Sequence, residues 1–138
     1  MGSEEHEIQK KILVALSKHK CTVQRINVGK GFLIRYSQIL GKDKNGNYIV
    51  KPPINYFDAG ASKGHPDLYG FRWVDGKTFY IEVKSKTGKP SEDQIRFHNM
   101  LTSHNIIHGI ARSVQDALMI VDGSLVGLGF DDYGSDLR

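Results

Sequence analysis

Three residues in the middle of the chain carry the side chains needed to act together on a phosphate ester: Asp67, Glu82 and Lys84. Two carboxylates supply the hard oxygen ligands that Mg²⁺ binds, and this ion takes a substrate phosphate readily as a further ligand. It polarises the phosphate and lowers the pKa of a bound water, while a lysine stabilises developing negative charge. The structural alternative is a surface hairpin with a cross-strand Asp–Lys pair, since this triplet is common on hairpins.

A predicted β-hairpin brings the three residues together. Residues 66–73 and 77–84 are typical of two strands, and Asp75-Gly76 between them is a strong signal for a two-residue turn. Glu82 and Lys84 are two positions apart on the return strand, so they point to the same face. Counted outwards from the turn, Asp67 and Lys84 are equally distant, which predicts that they are near cross-strand partners.

Helices and further strands surround this hairpin. Apolar residues recur at helical spacing between positions 8 and 16 and predict a helix from Glu4, capped by Ser3, to about position 20. Strands are also predicted over 21–28 and 106–111, and helices from Ser91 and over 114–121. Residues 31–63 are interpreted as an insertion that could form a hairpin. The predicted order is α–β–(insertion)–β–β–α–β–α, a mixed sheet flanked by helices, of α/β or α+β class.

Length and composition narrow the class of protein. The 138 residues predict a single domain, with a core over about 4–121 and an acidic tail over 122–138 that is loose from Gly123 onward. The single cysteine, Cys21, excludes an intrachain disulfide and favours a reducing, cytoplasmic location. We expect no membrane helix, because no apolar stretch is long enough. We expect no nucleotide cofactor, because neither GxxxxGK[ST] nor GxGxxG is present.

Charge is distributed unevenly along the chain. The formal net charge is +4, yet residues 122–138 carry four Asp and one Arg, so residues 1–121 carry +7. Between positions 18 and 51, eight basic residues face a single acidic residue, Asp43. A basic block of this kind suits a polyanion such as nucleic acid, and a solvated loop face explains it equally well.

Taken in order, the motifs resemble a stand-alone VRR-NUC domain of the PD-(D/E)xK nuclease superfamily, of the type found in phages and bacteria. The central match is Pro66-Asp67 followed, after a hairpin, by Glu82-Val83-Lys84. The flanking matches, which span about residues 4–118, are EHEIQKKIL, RINVGKG, GHPDLYGF, IEVKSKTGKPSEDQIRF and IIHGIARS. The Val-Arg-Arg variant that names the family is absent, since the chain has Val83-Lys84-Ser85-Lys86 there. The resemblance implies a restriction-endonuclease-like core.

The resemblance also implies roles for the residues of the central motif. Asp67, Glu82 and the Val83 carbonyl would bind Mg²⁺ or Mn²⁺. Lys84 would be the catalytic lysine. A glutamate on the first helix would complete the acidic cluster and help to hold the metal ion.

Two assignments have competing explanations. The family's Glu-x-x-Ile-Gln spacing selects Glu5 over Glu4 and Glu7, although the helix macrodipole favours an acidic residue at any of these positions. Gln94 would lie near the site and orient a water or a DNA phosphate. It also fits a capping box that begins at Ser91, and both roles cannot easily hold at once.

Basic and aromatic side chains outside the motif are candidates for DNA contact. The polar candidates are Arg25, Asn27 and Lys30 after the first strand, and Lys86 and Lys89 after the motif. A solvated basic loop is an equal explanation for the last two. The aromatic residues interleaved with the basic block, which could stack on bases or belong to the core, are Tyr36, Tyr48, Tyr56 and Phe57.

The function implied by the resemblance is metal-dependent DNA endonuclease activity, selective for branched substrates such as Holliday junctions and flaps. A domain of this size has little surface for reading base sequence, so recognition of DNA shape is physically reasonable. Cutting a four-way junction needs two active sites, which suggests a two-fold homodimer. The alternative is a DNA-binding or assembly module that keeps the fold without cleaving. The expected location is the cytoplasm of a bacterial or phage-infected cell.

Overall fold

The computed structural model describes residues 3–133, with the backbone alone at Ser3, so the predicted Ser3 cap and the end of the acidic tail lie outside it. The elements are α1 (Ser3–Lys18), β1 (Cys21–Arg25), β2 (Lys30–Leu33), β3 (Ile39–Lys42), β4 (Tyr48–Val50), β5 (Asn55–Asp58), β6 (Leu68–Arg72), β7 (Thr78–Val83), α2 (Glu92–Ser103), β8 (Ile107–Ala111), α3 (Val114–Asp122) and β9 (Val126–Leu128). A short 3-10 helix, Tyr36–Gln38, precedes β3. No helix within the described residues is long and apolar enough to cross a membrane.

Five of the strands form one mixed sheet in the order β1-β6-β7-β8-β9. β1, β6 and β7 are antiparallel neighbours, whereas β7, β8 and β9 run parallel. α2 connects β7 to β8 and α3 connects β8 to β9, because parallel neighbours need a crossover of this length. The predicted mixed sheet with flanking helices is confirmed.

Strand β7 runs through the middle of the molecule and is buried on both faces. Phe79, Ile81 and Val83 belong to the core cluster that α1 and α3 share. Tyr80 and Glu82 point to the opposite face, where α2 packs. Glu82 is therefore a buried carboxylic acid in a strand whose other buried residues are apolar, the first indication that this position has a role beyond packing.

The β6–β7 hairpin differs from the predicted two-residue turn. β6 ends at Arg72 and β7 begins at Thr78, so residues 73–77 form the connection. The Arg72 guanidinium binds the Asp75 carboxylate and closes this longer loop. Leu68 pairs with Ile81, and continuing this register places Asp67 opposite Glu82 instead of Lys84. The two carboxylates, and not an Asp–Lys pair, meet across the hairpin.

The insertion forms a β-arm, which we define as residues 30–58. At its base β2 pairs with β5, and further out β3 pairs with β4. Asp43 holds the tip by accepting hydrogen bonds from the N–H groups of Asn45 and Asn47, both at 2.9 Å. The hairpin suggested for this region is thus two nested two-stranded ribbons that stand outside the central sheet.

The tail is packed as far as Phe130, so the expectation that it is loose from Gly123 is wrong. The short apolar run of β9 pairs with the edge of β8, and Phe130 is 4% exposed. Its ring stacks on His98 with centroids 4.0 Å apart, and Nδ1 of His98 lies 2.7 Å from Nε2 of the buried His108. Burial, and after it His108, lowers the pKa of His98 to about 4, so His98 is neutral at physiological pH.

Replacing Phe130 with alanine is expected to lower the free energy of unfolding by about 3 kcal/mol, because it empties a packed aromatic site. Urea unfolding followed by circular dichroism measures the change. Val126→Ala is the matched control on the same segment, since Val126 is 36% exposed and its truncation should cost less than about 1 kcal/mol. Equal stability of Phe130→Ala and wild type would remove this segment from the folded core.

Candidate active site

Two carboxylates at one end of the β6–β7 hairpin form the centre of the candidate site. Asp67 is half-buried, directly precedes β6, and accepts a hydrogen bond at Oδ2 from the Val83 N–H at 2.9 Å. Glu82 is 2% exposed, and neither of its carboxylate oxygens receives a hydrogen bond from a donor group among the described residues. A buried carboxylate without a donor is unfavourable unless it takes up a proton or binds a cation.

The surroundings of Glu82 displace its ionisation strongly. Burial, and after it the neighbouring Asp67 carboxyl, raises the pKa of Glu82 to about 10. The Lys84 charge lowers that pKa, and Glu5 raises it as the least of these causes. Glu82 therefore holds a proton at neutral pH when no cation is bound.

The donor atoms fit a divalent cation. Oδ2 of Asp67 accepts a hydrogen bond from the main-chain N–H of Val83, and the two Glu82 oxygens accept none. Oδ1 of Asp67 and both Glu82 oxygens are hard ligand atoms that an ion such as Mg²⁺ prefers. Within residues 3–133, however, no group of three or more His, Cys, Asp or Glu side chains is placed to hold one metal ion. What the described chain offers is a carboxylate pair, and Mg²⁺ commonly completes such a shell with water and substrate phosphate.

Lys84 lies next to this pair. Lys84 is half-buried and is the first residue after β7. Its main-chain N–H donates to the Ala111 carbonyl at 3.2 Å, which continues the pairing with β8 by one residue. Its separation of two residues from Glu82 keeps both side chains on one face of the sheet. The Lys84 charge is close enough to act on the pKa of Glu82, so the two are electrostatically coupled.

An open cleft of about 580 Å³ lies beside Asp67. Its walls come from the start of α1, the end of β1, the segment before Asp67 and the N-terminus of α2. The polar residues that line it include His6, Gln9, Arg25, Asn27, Lys63 and Gln94. Glu82 does not line this cleft but borders a small internal cavity behind it, which Gln94 also borders.

Gly64 fixes one wall of the cleft. Its φ is +80°, and a Cβ there would lie 2.1 Å from the Asp93 carbonyl oxygen. Only glycine therefore allows the chain before Asp67 to pass this close to the N-terminus of α2. The close approach brings Lys63 and Asp67 to the same cleft as Gln94.

Gln9, His6 and Lys63 are among the cleft residues that the sequence analysis did not identify. Gln9 lies four residues after Glu5 on α1, a spacing that places both on one helix face and could have identified it. His6 and Lys63 carry no comparable signal, because their positions depend on how α1 and the segment before Asp67 meet in three dimensions.

The three glutamates of α1 occupy different environments. Glu5 is half-buried and its charge contributes to the shifted pKa of Glu82. Glu4 and Glu7 are exposed, and Glu7 pairs with Lys10 at 3.7 Å. Among these three glutamates, Glu5 is the one that acts on the pKa of Glu82, which agrees with the spacing argument.

Gln94 forms the capping box and lines the cleft at the same time. Its side-chain Oε1 accepts a hydrogen bond from the main-chain N–H of Ser91 at 2.9 Å, and its main-chain N–H donates to Ser91 Oγ at 3.2 Å. The incompatibility expected between the two roles applies only to Oε1. The amide nitrogen of the side chain remains able to donate to a phosphate oxygen in the cleft.

The remaining predicted basic residues divide into two groups. Arg25 and Asn27 line the cleft, and Arg25 Nη2 donates to Asn27 Oδ1 at 3.4 Å. Lys30, Lys86 and Lys89 are exposed and do not line it. Lys30 sits at the base of the arm, 3.8 Å from Asp58.

The loop that carries Lys86 and Lys89 is held by the side chain of Arg112, the residue that directly follows β8. The Arg112 guanidinium donates to the carbonyl oxygens of Ser85 and Gly88. This loop follows Lys84 directly, so the same anchor steadies the segment next to the carboxylate pair.

A mixed sheet that presents a carboxylate pair and a lysine at the end of a hairpin beside an open cleft places the chain among small α/β nuclease domains. The family model described as the VRR-NUC domain matches residues 3–115. The chain therefore belongs to the VRR-NUC family, whose members are generally metal-dependent nucleases that act on DNA.

A solved structure gives an independent comparison of the fold. The chain is similar to a protein described as "VRR_NUC domain", with a TM-score of 0.52 and 18% sequence identity, over 83% of this chain and 89% of that one. At this identity the likeness supports the fold alone. A search of curated proteins found no match.

Proposed function

We propose that the protein is a Mg²⁺- or Mn²⁺-dependent DNA endonuclease whose active site is centred on Asp67 and Glu82. The observation that carries this proposal is the buried Glu82 carboxyl, which has no hydrogen-bond donor and lies opposite a second carboxyl. In a binding module this arrangement would only repel phosphate and weaken the fold. In a nuclease it is the ligand pair for a divalent cation.

Each residue has a defined task in this proposal. Asp67, Glu82 and the Val83 carbonyl would hold the cation, with Glu5 as the nearby acid. When bound, the ion would supply Lewis-acid chemistry that polarises the phosphodiester and lowers the pKa of the attacking water. Lys84 orients that water and stabilises the charge that develops on phosphate as the P–O bond to the leaving group breaks.

The cleft holds the DNA backbone next to these groups. Arg25 and Lys63 supply positive charge, and the side-chain amide nitrogen of Gln94 supplies a hydrogen-bond donor. Lys86 and Lys89 extend the basic surface on the loop after Lys84. Hydrogen bonds and charge directed at phosphate position the backbone without reading base sequence.

The finer features of the proposal concern the substrate and the assembly. We expect branched DNA, including flaps and four-way junctions, to be preferred, with a homodimer providing the two active sites that a junction requires. We also expect cytoplasmic action. The second candidate, a DNA-binding module without hydrolysis, is disfavoured by the coexistence of Asp67, Glu82 and Lys84 at one strand end.

Cleavage of labelled DNA tests the proposal. Wild type is expected to cut in Mn²⁺ or Mg²⁺ and to stop in EDTA, and Lys84→Ala should lower the rate by about 100-fold or more. The panel contains single strand, duplex, flap and four-way junction. Lys77→Ala, an exposed lysine in the loop at the other end of β7, is the control. Tight binding with no cutting in either metal would overturn the nuclease assignment in favour of the module.

A further inference from the structure

The arm, residues 30–58, exposes an unusual amount of apolar surface. Nine of the 17 exposed large hydrophobic residues in the described chain lie in this one segment. The rings of Tyr36, Phe32 and Tyr48 are 91%, 72% and 63% exposed. Two-stranded ribbons are only marginally stable in water by themselves, so a ribbon that displays its rings to solvent is suited to contact a ligand.

The charge of the arm shows which ligand it suits. The segment has five basic and two acidic residues, so it carries +3 of the formal net charge of +4. Asp43 already accepts hydrogen bonds at the tip of the arm. Asp58 lies 3.8 Å from Lys30 and accepts a hydrogen bond from the Gly60 N–H. Among the ion pairs of residues 3–133, none involves the four other cations, which are Arg35, Lys42, Lys44 and Lys51.

The arm begins and ends at the rim of the candidate active-site cleft. Asn27 and Val28, just before it, line the cleft, as do Lys63 and Gly64 shortly after it. The Ala59 N–H donates to the Gly29 carbonyl at 2.9 Å and joins the two ends. A DNA strand bound in the cleft would therefore contact the arm where the strand passes out of the cleft.

We infer that the arm is a second DNA-binding surface, which holds DNA with unpaired bases next to the cleft; this inference rests on the proposed function. Arg35, Lys44 and Lys51 contact phosphates, and exposed rings, with Tyr36 foremost, stack on bases that are not paired. Every base has a π-face, so such stacking is strong and tolerant of sequence, and bases at a fork or a junction are the ones available for it.

A second copy of the chain is the competing occupant of this surface. Two arms, each with an excess of positive charge, would repel one another, whereas DNA neutralises that charge. A surface that combines aromatic rings with cations outside ion pairs is the kind that binds single strands. Charge complementarity thus favours DNA.

Fluorescence anisotropy in EDTA measures binding without hydrolysis, on a forked DNA and on a duplex of the same length. Tyr36→Ala is expected to raise the Kd for the fork about tenfold and the Kd for the duplex less than about twofold, with Tyr36→Phe close to wild type. Val74→Ala is the control, since Val74 is 88% exposed in the loop between β6 and β7.

The charge contribution is tested by a pair of lysine variants. Lys44→Ala/Lys51→Ala should weaken binding of both DNAs and flatten the slope of log Kd against log salt by about 0.9 for each phosphate that is no longer neutralised. Lys11→Ala/Lys77→Ala, exposed lysines outside the arm and outside the cleft lining, should leave the slope unchanged. Analytical ultracentrifugation of every variant records the oligomeric state.

The outcomes separate this inference from the proposed function. Affinities within twofold of wild type for Tyr36→Ala and for Lys44→Ala/Lys51→Ala would overturn the inference, even if the wild type cuts DNA. A change of oligomeric state at unchanged affinity would overturn it in favour of self-association. Loss of fork binding by Tyr36→Ala would support it even if no cleavage is found, in which case only the proposed hydrolysis falls.

Discussion

Asp67→Ala is expected to abolish metal-dependent cleavage, with a loss of at least about a thousandfold in kcat. The substitution removes one of the two side-chain ligands of the proposed ion. It also removes the acceptor for the Val83 N–H, which ties the end of β6 to β7. DNA binding in EDTA should be kept or become tighter, because the change deletes a negative charge beside the path of the phosphates.

The comparison is made with single-turnover rates and with anisotropy in EDTA. Asp122→Ala is the control, since Asp122 is an exposed carboxylate at the end of α3 that contacts His19, away from the cleft. Asp67→Asn separates the two effects, because an amide oxygen can still accept the hydrogen bond from the Val83 N–H although the negative charge is lost. Cleavage retained by this variant would mean that only the hydrogen bond is needed. Undiminished cutting by Asp67→Ala would place the active site elsewhere in the chain.

Glu82→Gln is expected to stabilise the metal-free protein while it abolishes cleavage. The folded state raises the pKa of Glu82 to about 10, whereas the unfolded chain ionises near pH 4.5, so between these values the folded protein holds a proton that the unfolded chain has lost. Stability from this group is fully present below about pH 4.5 and is lost as pH rises, by at most about 1.4 kcal/mol per unit. Glutamine stays neutral, and at pH 8 it should add about 2 kcal/mol or more.

Urea unfolding at pH 5, 7 and 9 measures this difference. The stability of wild type should fall towards pH 9 relative to Glu82→Gln, and the curves should converge at pH 5. Mg²⁺ or Mn²⁺ should raise the stability of wild type at pH 8 and leave Glu82→Gln unchanged, because a bound cation replaces the proton. Glu4→Gln, at an exposed position on α1, is the control. Parallel curves for wild type and Glu82→Gln would mean that Glu82 is ionised without a cation.

The sequence predicts the central elements because they are set by local rules. Helical periodicity gave α1 to within two residues at its C-terminal end, and alternation gave the hairpin strands to within two residues at each end. The separation of Glu82 from Lys84 fixes their common face in any strand. These features need no knowledge of the rest of the fold.

The errors arise where distant parts of the chain decide. In place of the two-residue turn expected at Asp75-Gly76, the chain forms a longer loop in which Arg72 also donates to the distant Val121 carbonyl. The register of this hairpin places Asp67 opposite Glu82. The tail to Phe130 is held by β8 and His98, which no local pattern in a Gly- and Asp-rich segment reveals. The cleft residues His6 and Lys63 likewise come together only through tertiary packing.

The place of the arm in the chain has a consequence for how such domains can diversify. The arm lies between β1 and β6, which are neighbours in the central sheet, with Arg25 opposite Leu68. Residues 26–67 therefore form a closed loop whose ends are pinned by the sheet. Closing a loop costs only about 0.6 kcal/mol more for each doubling of its length, so arms of different size can be exchanged there at little cost to folding. Grafting a different arm onto this position would change how DNA is held while leaving the Asp67–Glu82 pair on an unaltered sheet.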